Sequence, residues 1–215
     1  MRGVWIKSQL HKYGMRFRMQ LHELRRWCVN MRIKRRDFTI ISNNCWAGKV
    51  YQYLHLPYQT PTVGLYFFAD DYLKFLSDLK YYLSLDLHFI PISTSKHAAE
   101  LQKRGRIVPI GCLNDVEIVF LHYKSEDEAR EKWNRRRTRI NWDNLIVKIS
   151  SMNLCTEEHL MQFESLPFEH KIMLHNRKKT IYKSEVYWAG QSNATGVLVD
   201  TNPFPGNLDL VALLK

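Results

Sequence analysis

Short β-rich apolar runs alternate along the chain with stretches whose apolar residues recur at helical spacing, the pattern of a layered α/β protein. Phe38-Thr39-Ile40-Ile41 follows the charged segment Lys34–Asp37 and reads as a buried strand. Ser42-Asn43-Asn44 then offers turn and N-cap chemistry, which predicts a helix running to about Leu54. Pro57 and Pro61 bracket a loop, and Val63–Phe68 reads as a second strand. Asp70 or Asp71 can cap a helix that carries Tyr72, Phe75, Leu76 and Leu79 on to Tyr82. Leu87–Ile92 predicts a strand, and the polar stretch Ser93–Arg106 a short helix ending near Gly105.

Arg106–Ile110 and Val116–Leu121 predict two strands joined by Gly111–Asp115. Ser125-Glu126-Asp127-Glu128 has the form of a capping box, opening a helix to about Ile140. Asn144–Ile149 is the next strand, and Cys155 or Thr156 precedes an acidic helix start at Glu157-Glu158. Lys171–Leu174 and Val186–Trp188 are weaker strands, and Asp209–Leu214 a closing helix. The order implies a mainly parallel sheet with helices on both faces. The hairpin around 106–122 is expected to belong to a smaller second α/β lobe.

Residues 1–36 behave differently from this body, residues 37–215. Leu10, Tyr13, Phe17, Leu21, Leu24, Cys28 and Met31 recur at steps of three and four, one stripe of a helix turning about 100° per residue. Lys12, Arg16, Arg18, Arg25, Arg26 and Arg32 flank it, and Trp5 and Trp27 suit a headgroup layer. Such a basic amphipathic arm fits a membrane surface. It also fits packing on the body or on a second copy of the chain in a homo-oligomer.

Charge arithmetic sharpens that division. The 215 residues carry a net charge of +11, which at first suggests nucleic acid. Residues 1–36 alone hold eleven Lys/Arg against Glu23, leaving the body 21 Lys/Arg against 20 acids. The body is nearly neutral and carries no nucleic-acid-binding motif, so nucleic acid ranks last among partners. The four cysteines make no CxxC pair, which argues against zinc fingers and a disulfide framework and for a reducing cytoplasm. No signal peptide is evident, and the longest uncharged stretch, Val50–Ala69, is broken by polar residues and prolines.

Several motifs stand together in a specific order. Ile41-Ser42-Asn43-Asn44-Cys45-Trp46-Ala47-Gly48 is followed by Leu56-Pro57-Tyr58-Gln59-Thr60-Pro61-Thr62-Val63-Gly64-Leu65. Then come Phe120-Leu121-His122-Tyr123-Lys124, Lys132-Trp133-Asn134-Arg135-Arg136 and Arg139-Ile140-Asn141-Trp142-Asp143-Asn144. Over residues 36–214, these resemble the bacterial family known as domain of unknown function 1919, with the basic arm outside the pattern. Members are commonly labelled exopolysaccharide-biosynthesis proteins and some as acetyltransferases. The resemblance implies capsule or exopolysaccharide synthesis, a sugar or lipid-linked saccharide as partner, and acetyl-CoA as a candidate donor. It brings no catalytic residues with it.

The residues themselves nominate a site. In an open α/β sheet, ligands bind beyond the carboxyl ends of strands. A strand ending at Ile41 puts Ser42, Asn43, Asn44 and Cys45 at such an edge, where the following helix N-terminus favours anions. Cys45 or Ser42 is the candidate nucleophile, Asn43 and Asn44 candidate oxyanion donors, and Gly48 a point of close approach. His122 ends a predicted strand and is the candidate general base. Asp143, in the polar corner with Asn141, could orient it. Arg136 and Arg139 are candidate phosphate ligands beside Trp133, with Arg136 singled out by the resemblance. Tyr58 and Thr60 form a rigid loop that could border a sugar pocket. The expectation is an enzyme transferring an acyl group, most simply acetyl, to a sugar at the inner face of the plasma membrane. A membrane-associated scaffold and a hydrolase at the same edge remain alternatives.

Overall fold

The computed structural model describes residues 23–24, 26–105, 107–188, 190, 192–193, 196–200 and 209–214. Two compact units divide the chain: Asp37–Leu208, and residues 1–36 together with Asp209–Lys215.

In the larger unit, four strands form a wholly parallel sheet: β1 (Thr39–Ser42), β5 (Leu145–Ser150), β6 (His170–His175) and β7 (Glu185–Tyr187), in the order β1-β5-β6-β7. Side chains of successive strand residues point to opposite faces. Ile41, Val147, Ile149 and Met173 share one face and join Phe67, Tyr72, Phe75, Trp133 and Phe163 in the main core. Ile40, Ile146, Ile172 and Leu174 lie on the other face and are buried as well. Burial on both sides is why these strands read as apolar runs rather than as alternating ones.

Between β1 and β5 the chain inserts α1 (Trp46–Leu54), α2 (Ala69–Ser77), α3 (Leu79–Ser84), a short α4 (Ala98–Arg104) and α5 (Glu126–Arg137). It also inserts a second, antiparallel sheet of β2 (His88–Ile90), β3 (Ile110–Leu113) and β4 (Val116–Val119). The hairpin expected around 106–122 is part of this small antiparallel sheet, which lies within the same compact unit as the parallel sheet. Helix α6 (Glu157–Ser165) joins β5 to β6. Two predicted caps are present: Ser125 Oγ accepts from Glu128 N–H and Thr156 Oγ1 from His159 N–H. The cap expected from Asp70 or Asp71 is not made: the N-cap of α2 is Phe68, with no side-chain cap, and Asp71 sits in the first turn with its side chain turned to another use. Its buried carboxylate accepts from Glu117 N–H at 2.9 Å and pairs with His97 and Lys96, tying α2 to β4.

Three other expectations need correction. Val63–Phe68 is not a strand but a buried extended segment with one bridge, Tyr66 to Val119. Gly64 turns the chain there with φ +72, and Phe67 N–H bonds Asn43 O instead of a neighbouring strand. The helix expected through Tyr82 breaks at Asp78, which leaves helical geometry and caps α3 by accepting from Tyr81 N–H. The first hairpin strand sits later than predicted, at Ile110–Leu113, because Asn114-Asp115 alone forms the turn, with Asn114 at φ +56, while the second begins at Val116 as expected and ends at Val119.

In the other unit, residues 26–32 are helical, and Leu24, Trp27 and Met31 are exposed. Most of the predicted amphipathic stripe, including Leu10, Tyr13, Phe17 and Leu21, lies outside the described residues. Asp209 caps α7 (Leu210–Leu213), accepting from Val211 and Ala212 N–H. Among the described residues no helix is long and apolar enough to cross a membrane.

A small hairpin, β8 (Ser192–Asn193) and β9 (Gly196–Val197), closes over the end of β5, with Val197 N–H donating to Ser151 O at 3.1 Å. Gly196 sits at φ +148, and a Cβ there would lie 2.1 Å from that carbonyl oxygen. Gly196→Ala is therefore expected to destabilise the fold by about 1–3 kcal/mol. Thermal unfolding followed by circular dichroism should show a drop of several degrees, and an unchanged midpoint would refute the close approach.

Candidate functional site

At the carboxyl edge of the sheet, two strands release the residues that the sequence nominates and one it does not. Lys148, in the middle of β5, is wholly buried. Its register partner on β1 is Ser42. The lysine ammonium pairs with Asp200, itself 1% exposed, and donates to Asn44 Oδ1 at 3.1 Å. Asp200 Oδ2 also accepts from Asn44 Nδ2 at 2.8 Å and from Ser150 Oγ. Burial pushes the Lys148 ammonium below its usual range, opposed by Asp200. Burial pushes the Asp200 carboxyl up, yet Lys148, Ser150 and Asn44 together hold it below the usual carboxylate range.

The polar residues of the β1 turn are consumed by this arrangement. Asn43 Oδ1 accepts from Ser150 N–H at 3.1 Å while its amide donates to Ser150 O at 3.2 Å, clamping β1 to β5. Asn44 Oδ1 also accepts from Trp46 N–H, at 3.1 Å. Ser42 is fully buried, donates to Asn44 O at 2.5 Å and accepts from Ala47 N–H at 3.3 Å. These side chains build the helix start. None of them presents a free group to solvent.

Beyond them lie two adjoining cavities that share Cys45, Lys49 and His122. The smaller, about 280 Å³, is also lined by Tyr58, Tyr123, Lys132 and Arg136. The larger, about 570 Å³, runs past Tyr66, Leu101, Val108, Leu121 and Leu198 to Asn44 and Asp200. Gly48 borders the smaller one, and a Cβ there would come within 3.1 Å of Val63 Cγ1, so the glycine lets α1 approach that loop. Lys49 makes a 3.4 Å hydrogen bond to Gln52 and, among the described residues, pairs with no carboxylate.

Arg136 is the exceptional side chain. It is 8% exposed, donates to Tyr123 Oη at 2.7 Å and stacks 4.9 Å from the centre of the Tyr58 ring. Among the described residues no carboxylate pairs with it. Its neighbours on α5 differ: Lys132 pairs with Glu128, Arg135 with Glu131 and Arg130 with Asp127. A buried, unpaired guanidinium is expensive unless an anion completes it.

The other nominated residues have structural places. Trp133 is fully buried in the core against Phe75 and Phe120. Thr60 is buried, with its hydroxyl 2.9 Å from that of Thr62. Arg139 is exposed and reaches Tyr58 O at 3.4 Å. Asn141 bonds Asp37, and Asp143 N–H bonds Asn141 Oδ1, just before β5 begins. Because β1 and β5 are parallel, that corner lies at the amino edge, opposite Cys45. The structure thus brings Cys45 and His122 together at one cavity junction and leaves Asp143 at the far end of the sheet. Lys148 and Asp200 were missed. A lone lysine inside Leu145-Ile146-Val147-Lys148-Ile149 was a visible signal, whereas nothing near Asp200 marked it.

Burial, and then Asp200, push the Cys45 thiol up to about 11, so it is a neutral thiol near pH 7. Its hydrogen bond goes to Leu65 O at 3.6 Å. Iodoacetamide should alkylate Cys45 at least tenfold more slowly than the exposed Cys28 at pH 7.5, read by peptide mass spectrometry. Equal rates would show an activated thiolate instead. For the ion pair, Lys148→Met leaves Asp200 buried alone and should cost about 3–5 kcal/mol in urea unfolding. Lys148→Met with Asp200→Leu removes both charges and should cost far less. Equal losses in the two variants would mean that the pair is not coupled.

Comparison with known proteins agrees with the motif order. The family described as domain of unknown function (DUF1919) matches residues 17–204. The match begins inside the basic arm, so residues 17–36 are part of the family pattern rather than outside it. An uncharacterized protein of Haemophilus influenzae is 30% identical over 192 residues, covering 86% of this chain and 87% of its own length.

Proposed function

We propose that this chain, which belongs to the DUF1919 family, is a transferase of saccharide assembly that grips a phosphate-bearing donor at the carboxyl edge of its sheet. The observation that carries the reading is Arg136, a buried guanidinium without a carboxylate partner among the described residues, facing the same cavity as Lys49. An arginine fork matches phosphate oxygens, and Lys49 adds a second positive charge. The saccharide and acyl parts of the proposal come from the exopolysaccharide and acetyltransferase labels attached to the family. The donor is then an acyl-CoA, most simply acetyl-CoA, whose phosphates lie at Arg136.

Of the three residues shared by both cavities, His122 has the ordinary pKa closest to neutrality. In the proposed step its imidazole takes the proton of a sugar hydroxyl as that oxygen attacks the thioester carbonyl carbon. The carbon–sulfur bond breaks, and the CoA thiolate leaves and is protonated by the imidazolium. A neutral Cys45 thiol makes direct transfer more consistent than an acyl-cysteine intermediate. Residues 1–36, with their surplus of ten positive charges, would hold the protein on the anionic inner face of the plasma membrane, near a lipid-linked saccharide.

Calorimetry with acetyl-CoA tests the grip. Arg136→Ala should weaken binding ten- to a hundredfold, the loss expected for charge-assisted hydrogen bonds. His122→Ala should leave binding in place and lower transfer to a saccharide acceptor by about 10²–10⁴. No binding of acetyl-CoA would overturn the donor assignment. Binding with no transfer to any acceptor would turn the protein into a binding module of the same pathway.

A further inference from the structure

We infer that the larger cavity is an acyl-chain chamber, so that the donor carries a hydrocarbon chain well beyond acetyl. This deepens the proposed function and rests on its phosphate site. The two cavities meet at Cys45, Lys49 and His122, so a ligand with its phosphate at Arg136 can pass that junction and enter the larger one. Most of what it would meet there is apolar: Tyr66, Leu101, Val108, Leu121, Leu198 and Val199.

Of the charged side chains that line the chamber, Asp200 and Arg104 have charge partners within the fold, Lys49 has none among the described residues, and Asp200 Oδ1 is buried without a hydrogen-bond partner. Asp200 at its inner end is neutralised by Lys148. Arg104 stacks about 5 Å from the Tyr66 and Phe68 rings and pairs with Glu100. Lys49 stands at the junction and borders both cavities. The smaller cavity is lined by Lys49, Lys132 and Arg136 and by no acid, whereas the larger is mainly apolar with Asp200 facing Lys148 and Arg104 facing Glu100, an arrangement that suits a molecule with a phosphate at one end and a chain at the other.

Size points the same way. An acetyl group would leave almost all of a 570 Å³ cavity empty or wet. A third cavity of about 580 Å³ continues from it past Met152 and Leu198, bordered by Leu154. Leu198 and Leu154 are 52% and 56% exposed, which makes them apolar surface that a chain would cover. A nucleotide base could also stack on Tyr66, and the experiment below separates the two.

Titration calorimetry would compare CoA, acetyl-CoA and octanoyl-CoA, alongside inorganic phosphate, octyl phosphate and uridine diphosphate. Each fully buried methylene raises affinity about fourfold. Octanoyl-CoA has six more than acetyl-CoA, so burial of only two gives a gain above tenfold. Octyl phosphate should likewise exceed inorganic phosphate. Leu198→Asp, at a half-exposed position that should tolerate the change, and the cavity-filling Val108→Phe should each shrink the ratio between octanoyl-CoA and CoA. Octanoyl-CoA no tighter than acetyl-CoA, with octyl phosphate no tighter than phosphate, would overturn the chamber. A chain gain in octyl phosphate with no binding of any CoA compound would keep the chamber and remove CoA as the donor. A gain for uridine diphosphate alone would hand the cavity to a nucleotide and overturn the inference.

Discussion

A lysine sits where a parallel sheet has no water to offer. Lys148 occupies a strand that is buried on both faces, and its ammonium pays the full cost of leaving solvent. Apolar side chains of similar size often do as well or better at such positions, so a buried pair is weak evidence of added stability. What the pair does here is fix geometry. One carboxylate must reach the lysine, and Asp200 does so only because the β8–β9 hairpin folds back on Ser151. Asn44 must turn inward to join both charges, which sets the start of α1 and carries Cys45 and Lys49 to the edge of the cleft. The carboxyl edge of the sheet is thus organised by a buried charge pair whose carboxylate, Asp200, borders the larger cavity.

The same pair explains why the polar turn is a poor place for chemistry. Ser42, Asn43 and Asn44 look like a nucleophile with two oxyanion donors when read in a row. In the fold their hydrogen-bonding capacity is committed to Ser150, Lys148, Asp200 and the backbone of α1. Buried polar groups must find partners, and in a tight strand-to-helix turn the nearest ones are in the protein. The residues that line both cavities are instead those on the outer side of the turn, Cys45 and Lys49, and His122 from elsewhere, with Arg136 lining the smaller one.

Local chemistry was legible in the sequence to the extent that it was local. The apolar runs of β1, β5 and β6 stand out because both sheet faces are buried, and the caps at Ser125 and Thr156 are set within four residues. Val63–Phe68 misled because an apolar run records burial, and burial came here without a strand partner beyond Val119. The proposed link between His122 and Asp143 failed on register. Asp143 precedes β5 while Cys45 follows β1, and in a parallel pair those positions lie at opposite edges of the sheet, a consequence already contained in the expected parallel sheet. Asp200 could not be found because its meaning lies in a partner 52 residues away. Lys148 was the one visible anomaly, a charge inside an apolar strand.

Two buried cations in one domain allow the final step. Lys148 has its carboxylate inside the fold, with Asn43 and Asn44 completing its hydrogen bonds. Arg136 has a ring beneath it and a phenol beside it, both of which orient a guanidinium without neutralising it. Folding would favour a carboxylate near Arg136 as it does near Lys148, yet three of the four acids of α5, Asp127, Glu128 and Glu131, pair with other basic residues of the same helix and none pairs with Arg136. The difference separates a charge the structure keeps for itself from one it holds ready. A buried cation that the fold orients, and that no carboxylate pairs with among the described residues, is the feature on which the proposed phosphate grip rests.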